Sequence, residues 1–283
     1  MDTAITYTNH LGASMTFGGN DEALKYLECG LRDYAWSYTP RNDRAASFRR
    51  QLREVPFTVG IAADDGETGI DLRNRLMDVT EPDVLSGTPG TMRIGEYRMA
   101  CYVVGSKPTS YWMDDRFAEF ELTLLAEDPR WVREIPYTFA PEPPGSGGGG
   151  LDYPFGFPFD LCREQMSRRV ENDTGAPCPF LLRVFGPATD PGVGVGSNVY
   201  RVNRALRDGE RLEIDSLART VVSVGVDGTV DESAYGDREV GAEGSGAYVF
   251  EPVASGASAV HWDNTFTFDL VLYDVRSAPR WTA

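Results

Sequence analysis

Two histidines, four cysteines and many carboxylates are the residues of this 283-residue chain that could carry chemistry. His10 and His261 each stand alone in the sequence, so no H-E-x-x-H helix or other close-spaced zinc motif can be assembled from them. A Ser-His-Asp or Cys-His centre gathered by the fold would need one of the two as its base, and no G-x-S-x-G elbow accompanies either. Cys29, Cys101, Cys162 and Cys178 form no C-x-x-C pair and are too dispersed for a disulfide framework, which favours reduced, structural thiols. Asp64-Asp65, Asp114-Asp115 and Asp231-Glu232 are paired carboxylates, but a glycosidase needs two carboxyls facing each other across a cleft, which adjacency does not supply. The 227–231 stretch lacks the ligand spacing of an EF-hand. Gly192-Val-Gly-Val-Gly196 lacks the third glycine and the following helix of a dinucleotide loop, and Lys107 sits before Pro108 in the wrong order for a phosphate loop. The sequence therefore assigns no catalytic, cofactor-binding or metal-ligating residue, and no cofactor.

The elements that would have to position any such residue are mostly strands. Val55, Phe57, Val59 and Ile61 alternate with smaller or polar neighbours, as do Tyr97, Met99, Cys101 and Val103, and Phe120, Leu122 and Leu124. Phe180, Leu182 and Val184 repeat the pattern, followed by Leu212 with Ile214, Val224 with Val226, and Phe266, Phe268, Leu270 and Leu272. Asp227-Gly228 reads as a hairpin turn, and the Gly-, Asp- and Ser-rich residues 227–247 as a long loop. One segment has helical spacing: Leu72, Leu76 and Val79 share a face, with Thr68 the expected cap, Asp71 three residues on, and Pro82 and Gly87 the expected stop.

Residues 140–150, Ala-Pro-Glu-Pro-Pro-Gly-Ser-Gly-Gly-Gly-Gly, are stiff and then flexible, with nothing to bury. They divide the chain into 1–140, a linker at 141–150, and 151–283. The expected fold is mainly β: an N-terminal β-sandwich with one packed α-helix, followed by a C-terminal β-sandwich.

The formal net charge is −16, and it is shared evenly: 15 basic and 23 acidic residues up to Gly150, 12 and 20 after it. That balance argues against a phosphate-backbone binder and against docking on an anionic membrane. No run approaches the 18 apolar residues of a membrane span, and Met1 to His10 shows no cationic start or apolar core of a leader. Arginine outnumbers lysine 25 to 2, which reads either as codon bias or as guanidinium groups chosen for interface pairs. Trp36, Trp112, Trp131, Trp262 and Trp281, with 13 Tyr and 14 Phe, suit a core or a protein interface better than a sugar platform.

Several short motifs occur in an informative order. Tyr7-Thr-Asn-His-Leu-Gly-Ala-Ser14 opens the chain, and a strand from Phe120 leads to Asp128-Pro129-Arg-Trp131. Pro179-Phe-Leu-Leu-Arg-Val-Phe-Gly186, Asp190-Pro191-Gly192 and Asp208-Gly209-Glu210 through Asp215 follow, and the chain closes with Val260-His-Trp-Asp263 and Arg276-Ser-Ala-Pro-Arg-Trp281. In this order the sequence resembles the distal tail protein family of long-tailed, non-contractile phages, the siphophage baseplate hub, over residues 7–281.

The resemblance implies a structural role with no enzymatic residues. The first domain would close into a homo-hexameric ring, and the second, a galectin-like sandwich, would project outward and carry receptor-binding or side components. The ring would join the tail tube protein to the central tail-tip hub protein, with the tape measure as a further partner, no membrane, and DNA only as passing cargo. The location implied is the virion tail tip, assembled in the bacterial host cytoplasm. Two other readings stand beside it: a carbohydrate-binding β-sandwich recognising host cell-wall glycan, and a hydrolase whose site is assembled by the fold.

Overall fold

The computed structural model describes residues 4–19, 23–109, 114–141 and 168–281. The chain divides into two compact units, Met1–Arg133 with Val275–Ala283, and Glu134–Asp274. Apart from Pro141, the linker expected at 141–150 lies outside the described residues.

The first unit begins with a hairpin of β1 (Ile5–Thr8) and β2 (Ser14–Phe17). Its turn explains the opening motif. The Asn9 side-chain oxygen accepts from the backbone N–H groups of Leu11 and Ala13 at 3.1 and 2.8 Å, and Gly12 supplies a φ of 89° that a side chain would oppose. Next come β3 (Leu24–Cys29), β4 (Ser37–Arg41), β5 (Arg44–Arg49), β6 (Arg53–Ala62) and α1 (Gly66–Ser86). β7 (Gly90–Ile94), β8 (Tyr97–Pro108), β9 (Phe117–Ala126) and the start of β10 (Trp131–Phe139) complete it.

Two antiparallel sheets result, β2-β1-β7-β8-β10 and β3-β6-β9-β8, with β8 common to both. Its first half pairs with β7 and its second half with β9, and the register shifts at Val103/Gly105 as it passes from one sheet to the other. A bulge of this kind bends a strand and lets one chain segment serve two layers. Tyr7, Phe17, Met92 and Met99 of the first sheet meet Leu24, Phe57, Val59 and Leu124 of the second, and Leu76 and Val79 of α1 join the same core. Trp131, from the Asp-Pro-x-Trp corner, is buried in it as well.

The helix departs from its sequence expectation at its cap and at Pro82, and keeps the expected stop at Gly87. Its cap is Asp65, not Thr68: Asp65 is extended, and its carboxylate accepts from the Thr68 N–H and hydroxyl, both at 2.8 Å. Those hydrogen bonds hold the Asp65 carboxyl below the usual aspartate range. Pro82 lies inside the helix rather than after it, and Gly87 alone ends it, left-handed at φ 67°, with its N–H on Val84 and the Thr88 N–H on Asp83. The N-terminal half of α1 rests on the 114–117 turn, because a Cβ on Gly69 would stand 2.1 Å from the Asp115 carbonyl oxygen. Arg73 donates to the carbonyls of Asp114 and Phe117 at 2.8 and 2.6 Å in the same place.

The second unit takes up the rest of β10 and adds β11 (Arg169–Asn172), β12 (Phe180–Phe185), β13 (Ala188–Thr189), β14 (Gly192–Val195) and β15 (Asn198–Arg201). β16 (Ala205–Leu206), β17 (Arg211–Asp215), β18 (Thr220–Val224), β19 (Val230–Asp231), a 3-10 turn at Glu232–Asp237, β20 (Gly256–His261) and β21 (Phe268–Arg276) follow. One sheet runs β19-β18-β17-β12-β21-β10, and the other β11-β20-β14-β15. Phe180, Leu182, Leu212, Ile214, Phe268 and Leu270 of the first face Val170, Val193, Tyr200 and Val260 of the second across one core. Both units are thus β-sandwiches, the first with its single helix, in agreement with the sequence.

The turn expected at Asp227-Gly228 joins β18 to β19: Gly228 has φ 83°, and Asp227 accepts from the Thr229 N–H at 3.0 Å. Val226, read as the strand's next inward residue, is instead exposed in that turn, because β18 ends at Val224 where Gly225 and Thr229 close the loop.

Candidate functional site

The first place to look for chemistry is His10, which the fold does not leave alone. Its Nδ1 lies 2.6 Å from Asp83 Oδ1, and its backbone N–H donates to the same oxygen at 2.9 Å. The other oxygen, Oδ2, accepts a very short hydrogen bond from the Tyr7 hydroxyl. Asp83 is fully buried at 0% exposure, and burial together with this carboxylate raises the Tyr7 phenol far above the usual tyrosine range. Gly90 makes the arrangement possible, since a Cβ there would stand 2.3 Å from Asp83 Oδ2 and 2.5 Å from the Tyr7 hydroxyl.

An aspartate orienting a histidine through Nδ1 is half of a nucleophilic centre. The other half is not seen among the described residues: no hydroxyl or thiol is hydrogen-bonded to His10 Nε2. What the cluster does is mechanical. It ties the last turn of α1 to the end of β1, and it satisfies a buried carboxylate with three donors. Sequence spacing could not show it, because Asp83 is 73 residues from His10.

The other candidates disperse. His261 lies over Gly194, whose Cβ would fall 2.0 Å from the imidazole Nε2. Gly192 to Val195 therefore form a strand paired with β15 and β20, crossed by a ring, and not a nucleotide loop. Cys29, Cys101 and Cys178 are free thiols, and Cys162 lies outside the described residues. Burial pushes Cys101 up to about 12 and Cys178 up to about 11. Among the described residues no group of three His, Cys, Asp or Glu could hold a metal ion, and no helix is long and apolar enough to cross a membrane. Of the tryptophans, Trp131 is buried, Trp262 donates to the Phe266 carbonyl at 3.1 Å, Trp281 lies under Arg32 at 3.9 Å, and Trp112 is outside the described residues.

One feature of the first unit stands apart from its core. Among the described residues β4 and β5 pair only with each other. Their tip, Asn42-Asp43, has φ of 48° and 58°, the geometry of a tight type I′ turn. Nearly every residue of this arm is exposed, including Tyr38 at 60% and Phe48 at 59%, whose rings sit 6.3 Å apart. At its root Arg50 lies over Trp36 at 4.3 Å, and Tyr34 and Leu52 are exposed beside it. Arg41, Arg44, Arg49 and Arg50 stand against one acid, Asp43, so the arm is basic on an acidic protein. A lone two-stranded ribbon is marginally stable in water, and exposed aromatic patches with arginine mark protein contact surfaces. Spacing marks no strand here, because the arm has no buried face to alternate with.

No family model matches the chain, and no curated protein matches its sequence. Solved structures do match the fold. The Dit protein of phage SPP1, described as a paradigm of the hub adsorption apparatus in phages infecting Gram-positive bacteria, aligns with a TM-score of 0.53 at 14% identity. That alignment covers 98% of this chain and 100% of the other. A chain of the phage P2 baseplate in its activated conformation with calcium aligns with a TM-score of 0.56 at 9% identity, over 98% of this chain and 99% of that one. The same baseplate with strontium gives the same figures.

The fold is similar to those of the SPP1 Dit protein and the phage P2 baseplate chain. The alignments span nearly the whole of each chain, in line with the resemblance carried by the short motifs. At these identities it is a likeness of backbone, held by different side chains.

Proposed function

We propose that this protein is the distal tail hub of a long non-contractile phage tail: a structural virion protein, not an enzyme, whose copies close a ring between the tail tube and the central tip protein. The observation that carries the reading is the whole-chain fold match to the SPP1 Dit hub protein and to a chain of the phage P2 baseplate. In this reading the first unit forms the ring and the second carries receptor-binding or side components, at a virion tail tip assembled in the host cytoplasm.

The β4–β5 arm is the part of the first unit we assign to contact with a second copy. Its charge favours that partner, since the remainder of the chain is strongly acidic. The outward face of α1 has the matching character: Ile70, Met77 and Val84 lie exposed at seven-residue spacing, beside Glu67, Asp71, Asp78 and Glu81.

Mass photometry tests the reading directly. Six copies of 31.2 kDa give a particle of about 187 kDa. Replacing Tyr38 and Phe48 with serine removes exposed aromatics and no core, so it should leave the circular dichroism unchanged while dispersing the particle. A wild-type chain that stays monomeric at every concentration and fails to associate with tail tubes would overturn the proposal.

A further inference from the structure

The first unit is completed by residues that follow the second in the chain. β21 ends at Arg276, and Ser277 to Trp281 continue from it without slack as a strap that belongs to the first unit. Arg32 holds that strap from the 3-10 turn Gly30–Arg32, which lies between β3 and β4. Its guanidinium donates to the Pro279 carbonyl at 2.7 Å and lies over the Trp281 ring at 3.9 Å. Pro279 is buried, whereas Trp281 is 82% exposed, so most of the indole stays open to solvent. One charge-assisted hydrogen bond and one cation–π contact make a light hold compared with that on a core strand.

What the strap meets is the base of the β4–β5 arm. Irregular chain at 33–36 leads into the arm, and irregular chain at 50–52 leads out of it. Arg53 ties the two runs together, donating to the Asp33 carbonyl and pairing with its carboxylate at 3.7 Å, while Arg50 lies over Trp36 at 4.3 Å. Ser277 of the strap lines a narrow cavity with Asp33, Tyr34, Arg50 and Arg53. Arg32, which anchors the strap, is the residue next to Asp33. The strap thus closes a third side of a base whose two runs hold each other by side chains. A two-stranded ribbon with no sheet beside it takes its direction from that base. The path of the chain makes the hold conditional. β10 and β21, by which the chain enters and leaves the second unit, are hydrogen-bonded neighbours in one sheet, so the folded second unit keeps its two chain ends together. With that sheet unformed, the strap is the far end of a long loop, and closing the loop makes docking rarer by a factor on the order of a thousand.

We infer that residues 277–281 are an assembly checkpoint: docked by Arg32, the strap sets the arm for contact with a second copy, and it docks only on chains whose second unit has folded. The inference rests on the proposed contact between copies through the arm. Domains fold from the N-terminal side as they emerge, so an arm with a finished base would engage neighbouring chains before its own second unit is made. A base that stays slack until β21 is in place delays that contact. It also keeps chains with a misfolded second unit out of the particle.

Hydrogen exchange read by mass spectrometry and mass photometry test it on the full chain. Exchange is measured in the Tyr38→Ser/Phe48→Ser background, so that contact between copies does not itself protect the arm. There the arm amides, 37–49, should be protected, and adding Arg32→Ala or Trp281→Ser should raise their exchange about tenfold, with α1, β12 and the thermal transition unchanged. With Tyr38 and Phe48 intact, the same two substitutions should disperse the particle. Arg280→Ala removes an equal charge from an exposed strap residue and should change neither readout. Leu182→Ala loosens the core of the second unit, and in a urea series its arm amides should lose protection with β12 while α1 keeps its own. Unchanged arm exchange or a retained particle in Arg32→Ala or Trp281→Ser, the same losses in Arg280→Ala, or arm amides that stay protected until α1 opens would each overturn the checkpoint. A monomeric wild type overturns the ring reading instead, and is told apart because the exchange measurements need no particle.

Discussion

At the scale of single residues, the most consequential group is one that resembles a catalytic fragment and acts as a fastener. Asp83 is a carboxylate buried at the end of a helix, and its two oxygens are shared between the Tyr7 hydroxyl and the two donors of His10. A buried acceptor is expensive to leave unsatisfied, so the three residues stand or fall together. Tyr7→Phe keeps the ring and removes only the donor. It should destabilise the first unit by about 1–3 kcal/mol in urea titrations. No change in midpoint would mean that water or a rearranged His10 replaces the lost bond. Neither the buried pair nor its role could be read from the sequence. His10 is adjacent to nothing that titrates, and the partner is brought in by the packing of α1 on β1. The glycines that make room for it are equally silent: Gly90 looks like any strand glycine until the Asp83 and Tyr7 oxygens are placed beside it.

At the scale of elements, period-two alternation marked the cores well, because a strand with one buried face leaves that signature regardless of what it pairs with. Phe57 and Val59 in β6, Leu122 and Leu124 in β9, and Leu182 and Val184 in β12 all face inward as their spacing indicated. Two kinds of element escaped. The β4–β5 arm has no buried face, so its residues carry no alternation to detect. Short strands such as β13 and β16 have two residues each, too few for any period. The start of α1 was misplaced for a third reason: Asp65 and Thr68 are both good caps, and only the extended backbone at Asp65 decides between them, whereas Gly87 ends the helix as expected. The helix also offers a test in which propensity and packing disagree. Glycine to alanine inside a helix ordinarily stabilises by about 1 kcal/mol. At Gly69 the new methyl would meet the Asp115 carbonyl oxygen at 2.1 Å, and a main-chain atom has little freedom to withdraw. Gly69→Ala should therefore lower the thermal midpoint of the first unit, whereas a rise would show that the 114–117 turn yields easily.

At the scale of the whole molecule, the charge of −16 takes on a different weight if copies assemble. Six copies would bring together about −96 formal charges, so contact surfaces must be locally neutral or basic, and the arginine-rich arm is the part of the first unit that meets this need. The arginine bias of the chain then has a physical use beyond codon choice. A second global property follows from the path of the chain. It leaves the first unit along β10 and returns to it along β21, so residues 275–281 belong with residues 4–133. Tension applied between residue 5 and residue 279 would pass through the first unit alone, and the second would feel no load until the first had opened. Optical-tweezer pulling from those two positions should show two length steps in fixed order, the first unit always yielding before the second. A particle that must withstand pulling would gain from this path, since the second unit is spliced into the chain, shielded from strain by the unit that holds its two ends.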